Sequence, residues 1–551
     1  MPSAIEKLVA RLPLEFRVLY RQFLLRVVDL DALSIEADVP RFLGQFAGVL
    51  IMISCMRAIG TLFFPPAPSM RWAVEQSALL NMLFVVGLLS VVMWDATFPD
   101  RRDVMVLAHL PLKSHMILLA KVTASGALLG LAIVSLNFAS GLAWAVVFGN
   151  GLGFFRYLAA FWFTIVAASA FLYGSVLALQ GLAALVLSRR KFLQFSALAQ
   201  LAAFGLFMAA YFLEPSLSSR ADWLDPANHW LVASSPVFWF VALLNQLNGT
   251  LPSELSWLAW RGWIGLAGAV VGAGLSLWLC YVRTMKKTVE EPDLVPGAGG
   301  LHWAPRLGSN LQTAILHFSL RSLMRSRQHR VLFAFYWSLV LAIGLSWLHD
   351  ELSSAGTQVI PTGFLTSTFI MMTFAVFGLR SVFALPISLN ANWALQLTQL
   401  RPPGKYIATS RLVLLLFGVG PAWVLCGLLA LRFRPWEAVV AHATVLALLG
   451  WAFVEVGMIR FEKVPFTCSY LPGKANVQVV FWGAVFVLSL LSVTVAVYEK
   501  SALSDPRRMA TMLALMAGAA VGLCIMNVFQ AREAKLYFEE IPPEIITTLG
   551  L

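Results

Sequence analysis

The stretch ILLAKVTASGALLGLAIVSLNFASGLAWAVV, residues 117–147, carries a single charged residue, Lys121, near its start. An α-helix rises about 1.5 Å per residue, so roughly 20 apolar residues cross the hydrocarbon core of a bilayer, which is about 30 Å thick. This stretch exceeds that length. It therefore predicts a membrane-spanning helix that tilts or projects beyond the lipid.

The composition of the whole chain agrees with this interpretation. Of the 551 residues, 59% are hydrophobic and only 12% are charged, which excludes an ordinary soluble protein. Similar apolar stretches recur along the chain and predict about 12 spans in an all-α, polytopic transmembrane helical bundle. They lie near residues 44–64, 73–94, 117–147, 157–187, 192–213, 262–282, 331–348, 364–385, 411–431, 437–458, 476–498 and 509–529.

The net charge of +12 could indicate a partner such as nucleic acid, but its distribution favours another explanation. With the N-terminus inside, about 29 of the 40 Lys and Arg residues fall on the cytoplasmic side, about nine outside and about two within spans. This asymmetry predicts a multi-pass protein with both termini cytoplasmic, and we expect the membrane to be of the bacterial cytoplasmic (inner) type. No cleavable signal is expected before the first span, since those residues are rich in Arg and Asp. Nucleic acid is not an expected partner.

The predicted spans divide into two groups of six. We expect a first six-span half at 1–283, a charged and Gly/Pro-rich cytoplasmic linker at 284–310, and a second six-span half at 311–551. LPLEFRVLYRQFLLRVV (12–28) and LQTAILHFSLRSLMRSR (311–327) both mix apolar and basic positions at helical spacing. Each pattern predicts an amphipathic helix in the cytoplasmic interface before a six-span block.

Between the fifth and sixth predicted spans, residues 214–261 form a long, Trp-rich external segment. Within it, residues 236–247 are apolar but too short to cross a bilayer. They predict an interfacial or re-entrant helix with Trp239 in the aromatic belt.

A half-polar segment follows the second span of each half. The first is FPDRRDVMVLAHLPLKSHMILLAK (98–121), and the second is LPISLNANWALQLTQLRPPGKYIATSR (385–411). Both begin with an apolar–Pro pair, continue as a short half-polar helix, break at a proline and end on a basic residue that opens the next span. The same feature at the same place in both halves predicts an internal duplication.

The first half resembles the permease subunits of type-2 ABC transporters in its order of amphipathic helix, two spans, short cytoplasmic helix and four further spans. The family pattern is an acidic and basic entry, Leu positions, Pro, a basic residue, and a small residue before Lys. The matching residues here are Asp100, Arg101, Arg102, Leu107, Leu110, Pro111, Lys113, Ala120 and Lys121. The resemblance covers the first half well and the second half weakly.

The resemblance implies that the half-polar segments are coupling helices that bind cytoplasmic ABC ATPase subunits. Apolar positions would enter a groove on the partner, and charges would form its rim. In the second segment the acidic residues are missing and Trp393 lies in the middle, so that segment either binds differently or has lost coupling. The implied coupling residues are Asp100, Arg101, Arg102, Asp103, Val104, Leu107, Leu110, Pro111 and Lys113 in the first segment, and Trp393 and Arg401 in the second.

ATP and Mg²⁺ would belong to the partner ATPase, and we expect no cofactor and no catalytic residue in this chain. The nearest phosphate-loop lookalike is CSYLPGKA (468–475), which lacks the first glycine and the final hydroxyl residue of that motif. It is interpreted as a cytoplasmic turn. The substrate is expected to be amphipathic or lipid-linked, since the spans carry few charges.

Ionisable residues inside spans are costly and therefore candidates for function. Arg57 lies deep in the first span and is the candidate for the substrate pathway, with a structural pair between Arg57 and Glu75 as the alternative. Arg380 and Glu455 are expected to extend their charged ends to the interface. Neither the five cysteines nor His109, His115 and His442 have the spacing of a metal site.

Two other functions stay open at this point. An internal repeat is also found in secondary transporters, but such a transporter requires acidic residues within its spans. A membrane enzyme acting on a lipid-linked substrate would use Asp95, Asp100 and Asp103 with the neighbouring Arg pair. The sequence also leaves open whether the fused halves act as one unit or as a homodimer.

Overall fold

The computed structural model describes residues 13–28, 39–94, 97, 106–107, 109–149, 153–213, 220–290, 308–353, 360–383, 385–387, 403–459, 461, 464–467 and 477–533. Within these ranges all regular structure is helical. The chain divides into two compact units, Met1–Pro296 and Gly297–Leu551.

The first unit begins with the short helix α1 (Leu14–Val28). Five long helices follow: α2 (Val39–Phe63), α3 (Arg71–Val92), α4 (Ser114–Phe148), α5 (Gly153–Val186) and α6 (Arg189–Leu213). Three short helices, α7 (Arg220–Leu224), α8 (His229–Ser234) and α9 (Pro236–Asn248), precede the long α10 (Ser256–Glu290). The end of α10 is therefore helical where the sequence predicts the beginning of the linker.

The second unit begins with α11 (Asn310–Arg325), followed by α12 (Arg327–Ser353) and α13 (Thr362–Val382). Helix α14 (Pro403–Leu414) continues through a π-helical turn (Leu415–Val419) into α15 (Gly420–Ala430). Pro421 lies just after this turn, and such turns relieve the loss of a helical hydrogen bond at proline. The unit ends with α16 (Trp436–Gly457), α17 (Val477–Ala502) and α18 (Pro506–Glu533).

Ten helices of the described ranges are long and apolar enough to cross a membrane, which indicates a multi-pass integral membrane protein. The sequence predicts two further spans, at 192–213 and 476–498. They coincide with α6 and α17, which are not among the ten. Helix α6 contains a shorter apolar stretch, Leu198–Leu213.

Two amphipathic helices were predicted, and both regions are helical. Helix α1 packs Leu19 and Phe23 against Ile117 and Ala120 at the start of α4. Helix α11 begins with a capping box, in which the Ser309 hydroxyl accepts from the Gln312 backbone N–H and the Gln312 side chain accepts in return. Its Ile315 packs against Tyr406 of α14.

The short apolar helix α9 confirms the predicted helix at 236–247, but it does not lie on the surface. Phe238, Phe240 and Leu243 are fully buried, because α9 packs against α3, α5 and α10. It ends at Gly249, whose φ of +76° is the left-handed conformation that glycine adopts without strain. Trp239 is half-buried, and its indole N–H donates to the carbonyl of Ala233 at 2.9 Å.

The core of the first unit depends on a close crossing of α5 and α10. Small residues let the two backbones approach, as is common where membrane helices associate. A methyl group on Gly174 would lie 3.1 Å from the carbonyl oxygen of Ala269, and one on Gly181 would overlap the side chain of Ser276.

We expect Gly174→Ala to lower the free energy of unfolding by about 1–3 kcal/mol, because the added methyl meets backbone that cannot move aside. Gly130→Ala in α4 is the matched control, since nothing lies within 4 Å of the methyl it adds. That control should be neutral or slightly stabilising. Thermal unfolding in detergent measures both variants, and equal melting temperatures would contradict the close crossing.

The second unit has its core around α13. The buried residues Phe364, Phe369, Met371, Met372 and Val376 lie along this helix and contact α12, α14 and α16. Flexible methionines fill irregular gaps between the rings.

Candidate functional site

The described part of the segment after α3 comprises Thr97, residues 106–107 and residues 109–113. Asp100, Arg101, Arg102, Asp103 and Val104, predicted to couple to a partner, lie outside the described residues, as does Asp95 of the enzyme alternative. Pro111 and Lys113 are exposed.

The apolar residues of this segment divide into two sets. Leu107 and Leu112 are half-buried and pack against a cluster that includes Leu19, Phe23 and Ile117. Leu110 is 49% exposed and Val106 is 65% exposed. Leu107, predicted to enter a partner, thus faces the chain itself, while Val106 and Leu110 face outward.

Val106 was missed by the sequence analysis. Spacing does not single it out, since Val106 and Leu107 lie four and three residues before Leu110 and both separations place residues on one helix face.

The end of α3, where the segment departs, is held by three hydrogen bonds to side chains of α5 and α6. Gln180 donates to the carbonyl of Trp94 at 2.9 Å, and Gln200 donates to the carbonyl of Val91 at 2.8 Å. The indole N–H of Trp94 donates to the Ser196 hydroxyl at 2.7 Å. All three contacts are buried, so a displacement of the segment's origin must also move α5 and α6.

The second half-polar segment is described only at residues 385–387 and from 403 onward, so Trp393 and Arg401 lie outside the described residues. Its beginning is also fixed. A ring nitrogen of His329 lies 2.8 Å from the carbonyl of Leu385, and the Ile387 N–H donates to the carbonyl of Phe466 at 2.9 Å. Phe466 is buried with a φ of +66°, a strained conformation for this residue type.

Arg57, the candidate for the substrate pathway, lies half-buried in α2. Its guanidinium lies 4.9 Å from the ring centre of Trp144 on α4, a cation–π contact. Thr61 links the two residues, because its hydroxyl donates to the Arg57 carbonyl at 2.8 Å and accepts from the Trp144 indole at 3.1 Å. The alternative pair between Arg57 and Glu75 is wrong, since Glu75 pairs with Arg71.

We expect Arg57→Met to lower the free energy of unfolding by only about 1–2 kcal/mol, the size of one cation–π contact. Arg57→Lys should lose less, since it keeps a cation over the ring. Thermal unfolding of both variants measures the difference. A loss above about 4 kcal/mol in Arg57→Met would show that Arg57 holds a buried ionic partner and has a structural role.

A buried polar cluster surrounds Glu75 near the start of α3. Its carboxylate accepts from Arg71 Nε at 2.8 Å, from the Tyr157 hydroxyl at 3.2 Å and from Asn245 Nδ2 at 2.6 Å. These partners come from α3, α5 and α9. The cluster therefore ties the short helix α9 to two long helices, and sequence spacing gives no hint of it.

A second buried cluster surrounds Glu455 near the end of α16. Its carboxylate lies 3.2 Å from Arg411 Nε and accepts from Trp451 at 3.1 Å and from Asn527 at 2.8 Å. The expectation that Glu455 extends to the interface is wrong, because α14 and α18 supply partners inside the unit. Arg380 donates to the carbonyl of Gly457 at 2.7 Å and lies over the ring of Phe461.

A third buried cluster joins His442 of α16 to Glu499 of α17. The two side chains meet at 2.8 Å between Nδ1 and Oε1, and Thr368 of α13 lies 3.2 Å from Nε2 of the same ring. Both residues are at most 1% exposed. The two residues are 57 positions apart in sequence, and the fold brings them together.

No group of His, Cys, Asp and Glu suited to a metal ion occurs among the residues that the structure describes. Cys55, Cys280, Cys426 and Cys524 are not joined by disulfides, and Cys468 lies outside the described residues.

Comparison with known proteins adds no assignment. No family model, no curated protein and no solved structure matches the chain. The fold class rests on the helices themselves, and function must be argued from the geometry above.

Proposed function

We propose that this chain is the membrane-spanning permease of an ATP-driven exporter related to the type-2 ABC transporters, with two fused six-span halves. The observation that carries the proposal is the exposed apolar pair Val106 and Leu110, in the connection between α3, whose end is fixed to α5 and α6, and α4. An exposed apolar pair between two long apolar helices is suited to enter a groove on a soluble partner.

The proposed mechanism is mechanical coupling. A cytoplasmic ATPase that binds Val106 and Leu110 would pull on the end of α3 when it closes around ATP. The buried bonds from Gln180, Gln200 and Ser196 would pass that displacement to α5 and α6. ATP and Mg²⁺ stay on the partner, and the acidic and basic residues 100–103 would form the rim that orients it.

The proposal also covers the second half-polar segment, the membrane and the substrate. The second segment, with Trp393 and Arg401, would bind a second ATPase subunit. The protein would lie in a bacterial-type inner membrane with both termini cytoplasmic and with 12 spans in all. An amphipathic or lipid-linked substrate would pass near Arg57.

Purification of the full chain in mild detergent, followed by mass spectrometry and an ATP hydrolysis assay, tests the proposal. We expect a subunit that carries a phosphate-binding loop to co-purify, with ATP hydrolysis in the eluate. A chain that purifies alone and without ATP hydrolysis would contradict it.

One observation favours a second candidate, a secondary transporter. A secondary transporter needs acidic residues within its spans, and Glu455 of α16 and Glu499 of α17 are fully buried in the second unit. Carboxylates inside a membrane bundle are typical of ion-coupled carriers. Transport that continues without any ATPase would favour this candidate.

A further inference from the structure

We propose that the N-terminal end of α10 binds one anionic phospholipid, at a site independent of the exporter proposal. The site has two parts: an open apolar groove along α10 for an acyl chain, and the guanidinium of Arg261 for the phosphate. The groove has a volume of about 490 Å³ and is lined by Trp260, Trp263, Ile264 and Ala267.

The first step of the argument places the groove at the level of the lipid. Trp260 is 60% exposed and Trp278 is 72% exposed. They are 18 residues apart, which is about five helical turns and about 27 Å, so both lie on the same face of α10. Exposed tryptophans mark the two boundaries of the hydrocarbon core, which is about 30 Å thick. Between them this face presents the exposed apolar residues Ile264, Val271 and Leu275. Its spacing and composition fit a face in contact with lipid, with Trp260 at one boundary.

The second step concerns Arg261, which follows Trp260 and is exposed. Side chains on a helix lean toward its N-terminus, so the guanidinium lies on the headgroup side of the groove. One Nη donates to the carbonyl of Ala233 near the end of α8, and the guanidinium carbon lies 4.9 Å from the ring centre of Trp257. These two contacts hold the cation beside the groove.

The third step is the charge. Among the residues that the structure describes, no carboxylate pairs with Arg261, and its Nε and second Nη form no hydrogen bond. These two nitrogens share one edge of the planar group, and such an edge binds two phosphate oxygens at once. The indole N–H of Trp260 also has no partner in the described ranges. This end of the groove therefore offers a cation and free donors to an anion.

The fourth step concerns the shape of the groove. Trp263 forms a fixed wall, because its indole N–H donates to Gln246 Oε1 at 3.2 Å and its ring centre lies 5.5 Å from that of Phe163. Next to Ala267 lies Gly268, where an added methyl group would meet nothing within 4 Å, so the space beside the helix stays open. An apolar groove that is open on one side suits an acyl chain. A phospholipid joins such a chain to a phosphate, so one molecule fills both parts of the site.

The test is a titration of the purified full chain with dioleoyl phosphatidylglycerol in mild detergent. Native mass spectrometry measures the fraction of protein that carries one lipid. Arg261→Gln should weaken this binding by about tenfold or more, because charge-assisted bonds to the phosphate are lost. Arg156→Gln is the matched control, since Arg156 is also exposed and donates to a backbone carbonyl, that of Leu247, but belongs to α5 rather than α10. Equal losses in the two variants would overturn the proposal.

A second pair of variants tests the groove without changing a charge. Ala267→Phe fills the groove and should also weaken lipid binding by about tenfold or more, because the acyl chain loses its contacts with α10. Ala202→Phe adds the same ring at an exposed position of α6 and should bind lipid like the wild type. Binding as tight as that of the wild type in either Arg261→Gln or Ala267→Phe would overturn the proposal.

Two further probes distinguish a phospholipid from its parts. Glycerol 3-phosphate has the phosphate without the chains, and dioleoylglycerol has the chains without the phosphate. Each should bind at least about tenfold more weakly than the whole lipid. Glycerol 3-phosphate that binds as tightly as the lipid would indicate a site for a free anion and would overturn the proposal. A wild-type dimer that is lost in Ala267→Phe would assign the groove to a second copy of the chain and would overturn it as well.

Discussion

Glu75→Ala should lower the free energy of unfolding by about 3–5 kcal/mol, the range found when one partner of a buried ion pair is removed. The carboxylate of Glu75 is fully buried and is the acceptor for Arg71, Tyr157 and Asn245. Alanine would leave all three donors facing one another. Their desolvation would then be uncompensated, which is why the expected loss exceeds that of a single hydrogen bond.

The loss of stability in Glu75→Ala should be largest in α9. Asn245 belongs to this helix, and its amide also donates to the carbonyl of Val241 at 3.0 Å while its oxygen accepts from Thr250 at 2.7 Å. Without Glu75, the bond that ties α9 to α3 is lost. Hydrogen exchange of residues 236–248 should therefore rise more than exchange of the α5–α10 crossing.

Two variants control this result. Glu75→Gln keeps the shape and one acceptor oxygen, so it should lose less, about 1–3 kcal/mol. The double variant Arg71→Met, Glu75→Leu removes the charged pair together and should be more stable than Glu75→Ala. If Glu75→Ala and Glu75→Gln both had the same free energy of unfolding as the wild type, the polar cluster around Glu75 would not contribute to stability.

Leu110→Asp and Val106→Asp should each weaken binding of the proposed ATPase by at least about tenfold, and together by about a hundredfold. Apolar anchors supply most of the energy of such an interface, and a carboxylate in their place would be buried without a partner. Because both side chains face outward, unfolding of the isolated chain should stay within about 0.5 kcal/mol of the wild type.

Leu107→Asp separates binding from folding. Leu107 packs on the cluster of Leu19, Phe23 and Ile117, so aspartate there should destabilise the contact of α1 with α4.

Lys113→Ala changes an exposed rim position and should alter binding little at physiological salt. Equal binding by the wild type and the Leu110→Asp, Val106→Asp double variant would contradict the assignment of this surface.

Sequence patterns predict the helices of this protein because hydrophobicity is a local property. The ten apolar helices and the short helix at 236–247 follow from length and composition alone. The apolar stretches do not reveal that Gln180 of α5 and Gln200 of α6 hold the end of α3.

The buried polar clusters could not be predicted, because their members are far apart in sequence. Glu75 and Asn245 are separated by 170 residues, and His442 and Glu499 by 57. Residues near a span end can extend to the interface or pair inside the bundle, and only the packing decides between them. Glu455 was placed wrongly for this reason. Leu107 was assigned outward because the position of α1 beside it has no sequence signal.

The central claim is tested most directly by photo-crosslinking from Leu110 in native membranes. A photoreactive amino acid at Leu110 should form an ATP-sensitive adduct with a separate subunit that carries a phosphate-binding loop, and the same group at Leu107 should react within the chain. An adduct only with lipid, or none at all, would contradict the account, since Leu110 would then face no protein partner.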